Sequence, residues 1–257
     1  MFSLSGDKQY HIGLTEEQVG GYVILPGDPG RVSEIAPYLD KAEFMEQNRE
    51  YTTYTGYLHN EKVSVCSTGI GGPSAAIAIE ELIKCGAHTF IRVGTCGGMK
   101  LDVIGGDIVI ATAAIRGDGT SREYLTSDYP AVADFMVVNA LRQAAQENNL
   151  RHHLGVIQTK DSFYGETDPD SKPIADYLNQ RWQAYLKAGC LATEMEAAAL
   201  FCVGLTRNVR VGCVLTAIWN VERAQAGLDN PEFHNSHRAI TCAVEAIKLM
   251  IKEGRAV

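Results

Sequence analysis

Short blocks of apolar and β-branched residues alternate along the chain with segments whose apolar residues recur at helical spacing. Blocks of this length and composition are typical of strands. The blocks are GYVIL (21–25), KVSVCST (62–68), HTFIRVGT (88–95), GDIVIATAAI (106–115), HLGVIQT (153–159), GCLAT (189–193) and VRVGCVLTAIW (209–219). Their alternation with helical segments predicts an α/β fold with a central mixed, twisted β-sheet flanked by helices.

Two helices are predicted directly by the pattern. Apolar residues recur at helical spacing over 75–83, after Pro73 as a favourable first helical residue, and again over 240–251. The most polar segment, 164–187, begins with the turn-rich GETDPDSKP and predicts a loop over a site, joined to a helix. A chain of 257 residues with this alternation predicts one domain over residues 1–257.

The charge of the chain limits its partners. A net charge of -8 argues against a nucleic acid or an anionic membrane as partner, because an acidic surface repels both. No apolar run approaches the length of a membrane span, and the N-terminal MFSLSGDKQYH lacks a basic stretch followed by an apolar one. We therefore expect a soluble cytoplasmic protein in which local cations hold any anionic ligand.

Seven cysteines form an odd set without a C-x-x-C pair, and most of them lie in apolar stretches. This usage predicts buried, reduced thiols. It argues against a disulfide framework and against a zinc site.

Three predicted strands end in glycine-rich turns, at VILPGDPGR (23–31), STGIGGPS (67–74) and RVGTCGG (92–98). The carboxyl ends of strands form the ligand crevice of an open α/β sheet, and glycines there let backbone N–H groups approach an anion. None of the turns matches a dinucleotide fingerprint or a Walker P-loop, so NAD and ATP are discounted.

Arginines accompany these turns. Arg31 follows GDPG, Arg92 precedes VGTCGG, and Arg49 lies in NREYTT. A guanidinium group is a planar fork suited to phosphate, so the set indicates an oxyanion pocket. The alternative is that each arginine forms an ordinary surface ion pair or caps a helix dipole.

Glu194 and Glu196 flank a methionine at the entrance to an alanine-rich segment, ATEMEAAALF (192–201). Thr193 and Glu196 have the spacing of a capping box, which leaves Glu194 without a role. In an extended chain, however, residues two apart point to the same side, so both carboxylates can face one ligand if the segment is still strand-like. Both readings stay open.

Several motifs occur together in the order typical of one enzyme family. They are HIGLT (11–15), PGDPGR (26–31), NREYTT (48–53), STGIGGPSAAIAIEEL (67–82), RVGTCGG (92–98), DSFYG (161–165) and EMEAAAL (194–200). The chain thereby resembles the nucleoside phosphorylase family, its uridine-cleaving members most of all. The matches extend from residue 11 to the C-terminal helix, and as a set they are highly specific.

The resemblance implies a phosphorolysis, in which inorganic phosphate attacks C1′ of a nucleoside and gives ribose 1-phosphate and the free base. The residues implied to bind phosphate are Gly27, Arg31, Arg92, Thr95 and, from a neighbouring subunit, Arg49. The ribose would be bound by His11, also from the neighbour, and by Glu194, Met195 and Glu196, while the base pocket would be lined by Phe163, Glu166, Ile218 and Trp219. The catalytic residues among them would be Arg92, Thr95 and Glu196.

The resemblance also implies the partners. The substrates would be a nucleoside and phosphate, with no required cofactor, and the active unit a homodimer that assembles into a hexamer. Glu50, Ile70 and Ser74 match a monovalent-cation site, suited to K⁺, at the dimer interface.

The sequence departs from the uridine-cleaving pattern after FYG. These enzymes usually read uracil with a glutamine and a basic residue, whereas this chain has Glu166 and Asp168. Three explanations stay open: Glu166 is protonated in a closed pocket, Lys172 or Arg223 neutralises it, or the preferred base is not uracil. Phosphorolysis of another nucleoside, a nucleosidase and a non-catalytic nucleoside-binding protein are the alternative functions.

Overall fold

The computed structural model describes residues 8–254, and its strands are numbered here in chain order. They are β1 (Tyr22–Pro26), β2 (Asp40–Asn48), β3 (Tyr51–Leu58), β4 (Glu61–Cys66), β5 (Thr89–Gly98), β6 (Ile108–Gly117), β7 (Ala131–Val132), β8 (His152–Lys160), β9 (Ala192–Glu194) and β10 (Arg210–Asn220). All seven strand blocks of the sequence analysis correspond to strands.

The helices alternate with these strands. They are α1 (Pro29–Ile35), α2 (Gly72–Lys84), α3 (Phe135–Glu147), α4 (Tyr164–Thr167), α5 (Ala175–Lys187), α6 (Ala197–Arg207), α7 (Val221–Gln225) and α8 (His237–Lys252). Short 3-10 turns occupy Glu16–Gln18, Ala36–Tyr38, Thr120–Glu123 and Pro169–Ser171. Both helices predicted from the apolar spacing, α2 and α8, are present.

The strands form one mixed sheet in the order β10-β6-β8-β9-β5-β1-β4-β3-β2. An additional parallel pairing of β10 with β5 closes the first five strands into a ring. Apolar layers cover both faces, with α2 and α6 on one and α1, α3 and α8 on the other. The predicted α/β architecture, with a mixed sheet flanked by helices, is confirmed.

Three strands were not predicted. β2 is mostly exposed, and β3 has threonines at positions that are buried. Neither therefore shows the apolar block that marks the other strands. β7 has two residues and is too short to leave a pattern.

The polar segment 164–187 is more ordered than the loop prediction implies. It contains α4, the 3-10 turn Pro169–Ser171 and then α5. We call this segment the lid. The helix predicted to follow the loop is α5, but the turn-rich beginning is not a plain loop, because it contains α4 and the 3-10 turn.

All seven cysteines are free and buried, as predicted. No helix within residues 8–254 is long and apolar enough to cross a membrane. The first seven residues of the N-terminal segment lie outside the described part of the chain.

The packing of α2 gives a prediction on stability. Leu82 is completely buried in this helix, whereas Lys84, two residues later, is exposed. We expect Leu82→Ala to lower the free energy of unfolding by about 2–5 kcal/mol, because it leaves a cavity in the core. Lys84→Ala, on the same helix, is the control and should change it by less than about 0.5 kcal/mol. Urea unfolding measures both, and equal midpoints for the two variants would contradict this packing.

Candidate active site

Three glycine-rich turns come together at the carboxyl ends of β1, β4 and β5. These strands are parallel neighbours, and the Thr68 N–H donates to Pro26 O at 2.9 Å. A Cβ atom on Gly27 would lie 3.3 Å from Gly69 O and 3.9 Å from Arg92 Nη1. The absence of a side chain at Gly27 therefore keeps a narrow crevice open in front of Arg92.

Arg92 is buried at the base of this crevice between two carboxylates. Its Nε donates to Glu194 Oε2 at 3.0 Å, and its Nη2 pairs with Glu196 Oε2. Burial opposes the charge, but Glu196 and Glu194 together raise the pKa of Arg92 above its ordinary value. Arg92 is therefore a fixed cation, and its Nη1 edge faces the Gly27 turn.

Glu194 holds this arrangement together. Its carboxylate also accepts hydrogen bonds from Thr159 Oγ1 at 2.5 Å and from the N–H groups of Glu196 at 2.8 Å and Ala197 at 3.0 Å. Glu194 thus satisfies N–H groups at the start of α6 while it orients Arg92. The capping box predicted for Thr193 and Glu196 is wrong, because Thr193 lies in β9 and Glu196 makes no side-chain cap.

Glu196 points into the crevice instead. Its Oε1 accepts a hydrogen bond from the Gly71 N–H at 2.6 Å, and its Oε2 contacts Arg92. Burial raises the pKa of Glu196 above its ordinary value against the opposing effect of Arg92, and Glu194 raises the pKa further. Both glutamates therefore turn towards the same cation, as expected for residues two apart in an extended segment.

Arg31 gives the crevice a second cation. Burial lowers the pKa of Arg31, Asp28 opposes this, and the positive charge of Arg92 lowers the pKa further. Two guanidinium groups close enough to repel each other gain stability when an anion lies between them. The crevice is therefore electrostatically suited to an oxyanion.

The other residues assigned to phosphate are Thr95 and Arg49. Thr95 is half-buried on β5 beside Thr216, whose buried hydroxyl has no hydrogen-bond partner within residues 8–254. Arg49 is exposed in the turn between β2 and β3, with a left-handed backbone (φ 55°). Its exposure leaves Arg49 on the surface of its own subunit.

His11 is paired within its own chain. Its Nδ1 lies 2.6 Å from Glu81 Oε1, and the N–H groups of His11 and Ile12 donate to Glu81 Oε2 at 2.9 Å. Glu81 belongs to α2 and is buried. The pairing fixes the N-terminal segment and the orientation of the His11 ring.

Two of the residues assigned to the base pocket, Phe163 and Glu166, lie where β8, β9 and the lid meet. Phe163, which directly precedes the lid, is 52% exposed. Glu166 Oε1 accepts a hydrogen bond from Lys160 Nζ at 2.5 Å, and Glu166 Oε2 accepts one from Thr193 Oγ1 at 3.1 Å. The lid is therefore attached to the sheet through Glu166.

The cation beside Glu166 is not one of the two predicted from the sequence. Lys172 pairs with Asp168 at 3.3 Å, and Arg223 donates to the backbone oxygens of Leu101 and Asp229. Neutralisation of Glu166 by Lys172 or Arg223 is thus wrong, because both side chains are engaged elsewhere. Lys160 was not predicted as the partner of Glu166. The available signal was the position of this lysine at the end of β8, a strand whose second half is buried.

The remaining assigned residues flank the crevice. Met195 is half-buried between the two glutamates, and Ile218 and Trp219 lie at the end of β10 beside a bulge. Trp219 is 41% exposed. This end of β10 is therefore an accessible apolar wall.

The residues assigned to a cation lie beside the second glycine turn. Ser74 Oγ donates to Glu50 Oε1 at 2.8 Å and contacts Thr68 O, while the Ile70 side chain is 78% exposed. Oxygen ligands of this kind fit a hard monovalent cation. In the part of the chain that the structure describes, no group of three or more histidine, cysteine or acidic residues could hold a metal ion.

Comparison with known proteins agrees with this geometry. The family model of the phosphorylase superfamily matches residues 22–249. A uridine phosphorylase of Treponema pallidum is 52% identical over 97% of this chain and 96% of its own length. A guanosine phosphorylase of Halorubrum lacusprofundi is 40% identical over 93% of this chain and 98% of its own length. A uridine phosphorylase of Escherichia coli is 36% identical over 96% of this chain and 100% of its own length.

The family match covers most of the chain and includes the three glycine turns, the buried arginine and the two glutamates. These are the elements that build the crevice. The chain belongs to the phosphorylase superfamily.

Proposed function

We propose that this protein is a uridine phosphorylase, which converts uridine and inorganic phosphate reversibly to uracil and ribose 1-phosphate. The observation that carries the proposal is the geometry of the crevice: Arg92 is held between Glu194 and Glu196, and its Nη1 edge lies at the Gly27 turn, 3.9 Å from the position of a Cβ atom there, which leaves this edge for an oxyanion. The uridine phosphorylases that share 36–52% identity with the chain support the same reaction.

Phosphate is the nucleophile. Its dianion binds between Arg31 and the Nη1 edge of Arg92, against the glycine turn at Gly27 and with Thr95 as a hydroxyl donor. The cations hold one phosphate oxygen in line with C1′ of the nucleoside. They also offset the charge of the dianion, while the dianion stabilises the positive charge that develops at C1′.

The ribose binds above this anion. The Glu196 carboxylate accepts hydrogen bonds from the 2′- and 3′-hydroxyls, which fixes the sugar and supports the cation-like transition state typical of glycosyl transfer. Met195 contributes an adaptable apolar contact. Glu194 acts by holding Arg92 and the start of α6 in place.

A second subunit completes the site. Arg49 and His11 would reach the phosphate and the ribose 5′-hydroxyl of a neighbouring subunit, and the exposed position of Arg49 supports this. The active unit is then a homodimer, assembled into a hexamer, in the cytoplasm. K⁺ would bind near Glu50, Ile70 and Ser74, and no step of the reaction depends on it.

Two other functions have the same fold. A nucleosidase would use water and has no need for paired guanidinium groups. Guanosine phosphorolysis has the support of the relative from H. lacusprofundi. The late strand VLTAIWN (214–220), however, lacks a Ser-Asp pair to protonate a purine nitrogen.

The first test measures release of base with and without phosphate. We expect ribose 1-phosphate and uracil from uridine only when phosphate is present, with the rate saturating in both substrates. The panel includes thymidine, cytidine, guanosine, adenosine and inosine at equal concentration. Equal rates of base release with and without phosphate would indicate a nucleosidase. Binding of uridine without formation of any product would indicate a non-catalytic nucleoside-binding protein.

The raised pKa of Glu196 gives a second prediction. Only the ionised carboxylate accepts two hydroxyl donors, so kcat/KM rises with pH as Glu196 loses its proton, with a midpoint above the ordinary carboxyl range. Glu194→Gln removes the adjacent charge that helps to raise this pKa. We therefore expect the acidic limb to move to lower pH in this variant, although kcat/KM itself falls because Arg92 loses one partner.

The measurement compares the two pH profiles at the same phosphate concentration. Phosphate has its own ionisation in this range, but this is common to both proteins and cancels in the comparison. Coincident acidic limbs would show that Glu194 does not influence the ionisation of Glu196.

A further inference from the structure

A buried ion pair joins Lys160 to Glu166, one of the residues assigned to the base pocket. Lys160, the last residue of β8, is 6% exposed, and its Nζ lies 2.5 Å from Glu166 Oε1 and 2.8 Å from Thr193 Oγ1. The ammonium group also lies 5.7 Å from the centre of the Phe163 ring. The cation is therefore desolvated and oriented by three groups around it.

The position of this cluster connects it to the active site. Thr193 directly precedes Glu194, and in the sheet it pairs with Gly97 of the third glycine turn. Thr193 Cγ2 lies 3.3 Å from the position that a Cβ atom on Gly97 would take. The ammonium group of Lys160 thus contacts Thr193, which adjoins both the residues assigned to ribose (194–196) and the glycine turn that follows Thr95.

The hydrogen bonds of Lys160 leave one donor for a ligand. An ammonium group has three N–H donors, and Glu166 and Thr193 account for two of them within residues 8–254. Glu166, whose two oxygens contact Lys160 and Thr193, has further lone pairs that can accept a hydrogen bond. Together the pair presents a donor and an acceptor side by side.

The uracil ring carries the complementary groups. Its O4 and O2 accept hydrogen bonds, and N3–H between them donates. We propose that Lys160 donates its third N–H to O4 of uracil, that Glu166 accepts from N3–H, and that Lys160 thereby stabilises the departing base. This inference rests on the proposed function, since it concerns the leaving group of the same reaction.

The charge balance of the step explains why a cation is useful there. A phosphate oxygen forms the new bond to C1′, and the electron pair of the C1′–N1 bond moves onto uracil. The leaving group is then an anion whose charge is shared by O2 and O4, and it takes up a proton at N1 from water afterwards. Lys160 keeps its own proton and offsets this anion, whereas Glu166 alone would repel it.

Cytidine would be rejected by the same pair. Its N3 has no hydrogen and would face the Glu166 carboxylate, while its 4-amino group would face the ammonium donor. Buried groups left unpaired in this way give strong discrimination. The proposal therefore identifies the chain as selective for a 2,4-dioxopyrimidine.

The test replaces Lys160 with the similarly long but neutral methionine and compares two leaving groups. For Lys160→Met we expect kcat with uridine to fall about 100-fold, as for loss of one donor to a developing anion. With 5-fluorouridine, whose base is a more stable anion, the fall should be about tenfold. Lys187→Met removes an exposed lysine at the end of α5 and should leave both rates unchanged.

A double variant separates donation from simple neutralisation. Lys160→Met with Glu166→Met removes both charges and supplies no new hydrogen-bonding group, so the buried site holds no unpaired ion and folding is maintained. We expect the double variant to remain slow on uridine and to keep the steep dependence on the leaving group. Recovery to within about threefold of the unaltered protein would overturn the proposal, because Lys160 would then only neutralise Glu166.

Two further outcomes are decisive. An equal loss of kcat with uridine and 5-fluorouridine in Lys160→Met would show that Lys160 has a purely structural role. Cytidine turnover that the double variant leaves unchanged would show that Lys160 and Glu166 do not select the base. An unaltered protein that does not cleave uridine in phosphate would instead refute the proposed function itself.

Discussion

The site depends on one buried cation held by two carboxylates. Arg92 is surrounded by protein, so its charge is tolerated only because Glu194 and Glu196 face it from adjacent positions of one segment. The three groups together carry a net negative charge. Arg31 brings the local sum back to zero, and an incoming phosphate dianion makes it negative again. A neighbouring subunit that contributes Arg49 would offset part of this excess, which gives a physical reason for an active unit larger than one chain.

The two glutamates differ in role: Glu194 is structural, and Glu196 is the carboxylate suited to contact a ligand. Glu194 satisfies the first N–H groups of α6 and orients Arg92, so the start of the helix and the base of the crevice form together. Glu196 has fewer partners and a raised pKa, as expected for a carboxylate that meets a ligand. The division follows from a strand that ends at Glu194 and a helix that begins at Ala197.

Much of this could be predicted from the sequence, and the remainder could not for identifiable reasons. The apolar blocks predict the inner strands, and the glycine turns predict the crevice, because both are local patterns. β2 and β3 were not predicted because neither has a continuous apolar block: β2 carries exposed charges, and β3 has threonines at buried positions. The choice between a cap and a ligand-facing pair stayed open, since spacing alone cannot tell whether Glu194 or Glu196 turns towards the helix. Lys160 was missed because its partner lies on the lid, and lid docking is a tertiary event.

In the proposed binding of uracil, the ion pair of Lys160 and Glu166 takes the place of the glutamine that the family resemblance implies. A glutamine offers a donor and an acceptor on one side chain, and here a lysine on the sheet and a glutamate on the lid supply them separately. The pair is complete only while the lid lies on the sheet, because Glu166 belongs to α4 and Lys160 to β8. An open lid would leave Lys160 as a buried charge without its carboxylate, which is costly. Under this proposal, base recognition and lid closure would be coupled through the contact between Lys160 and Glu166.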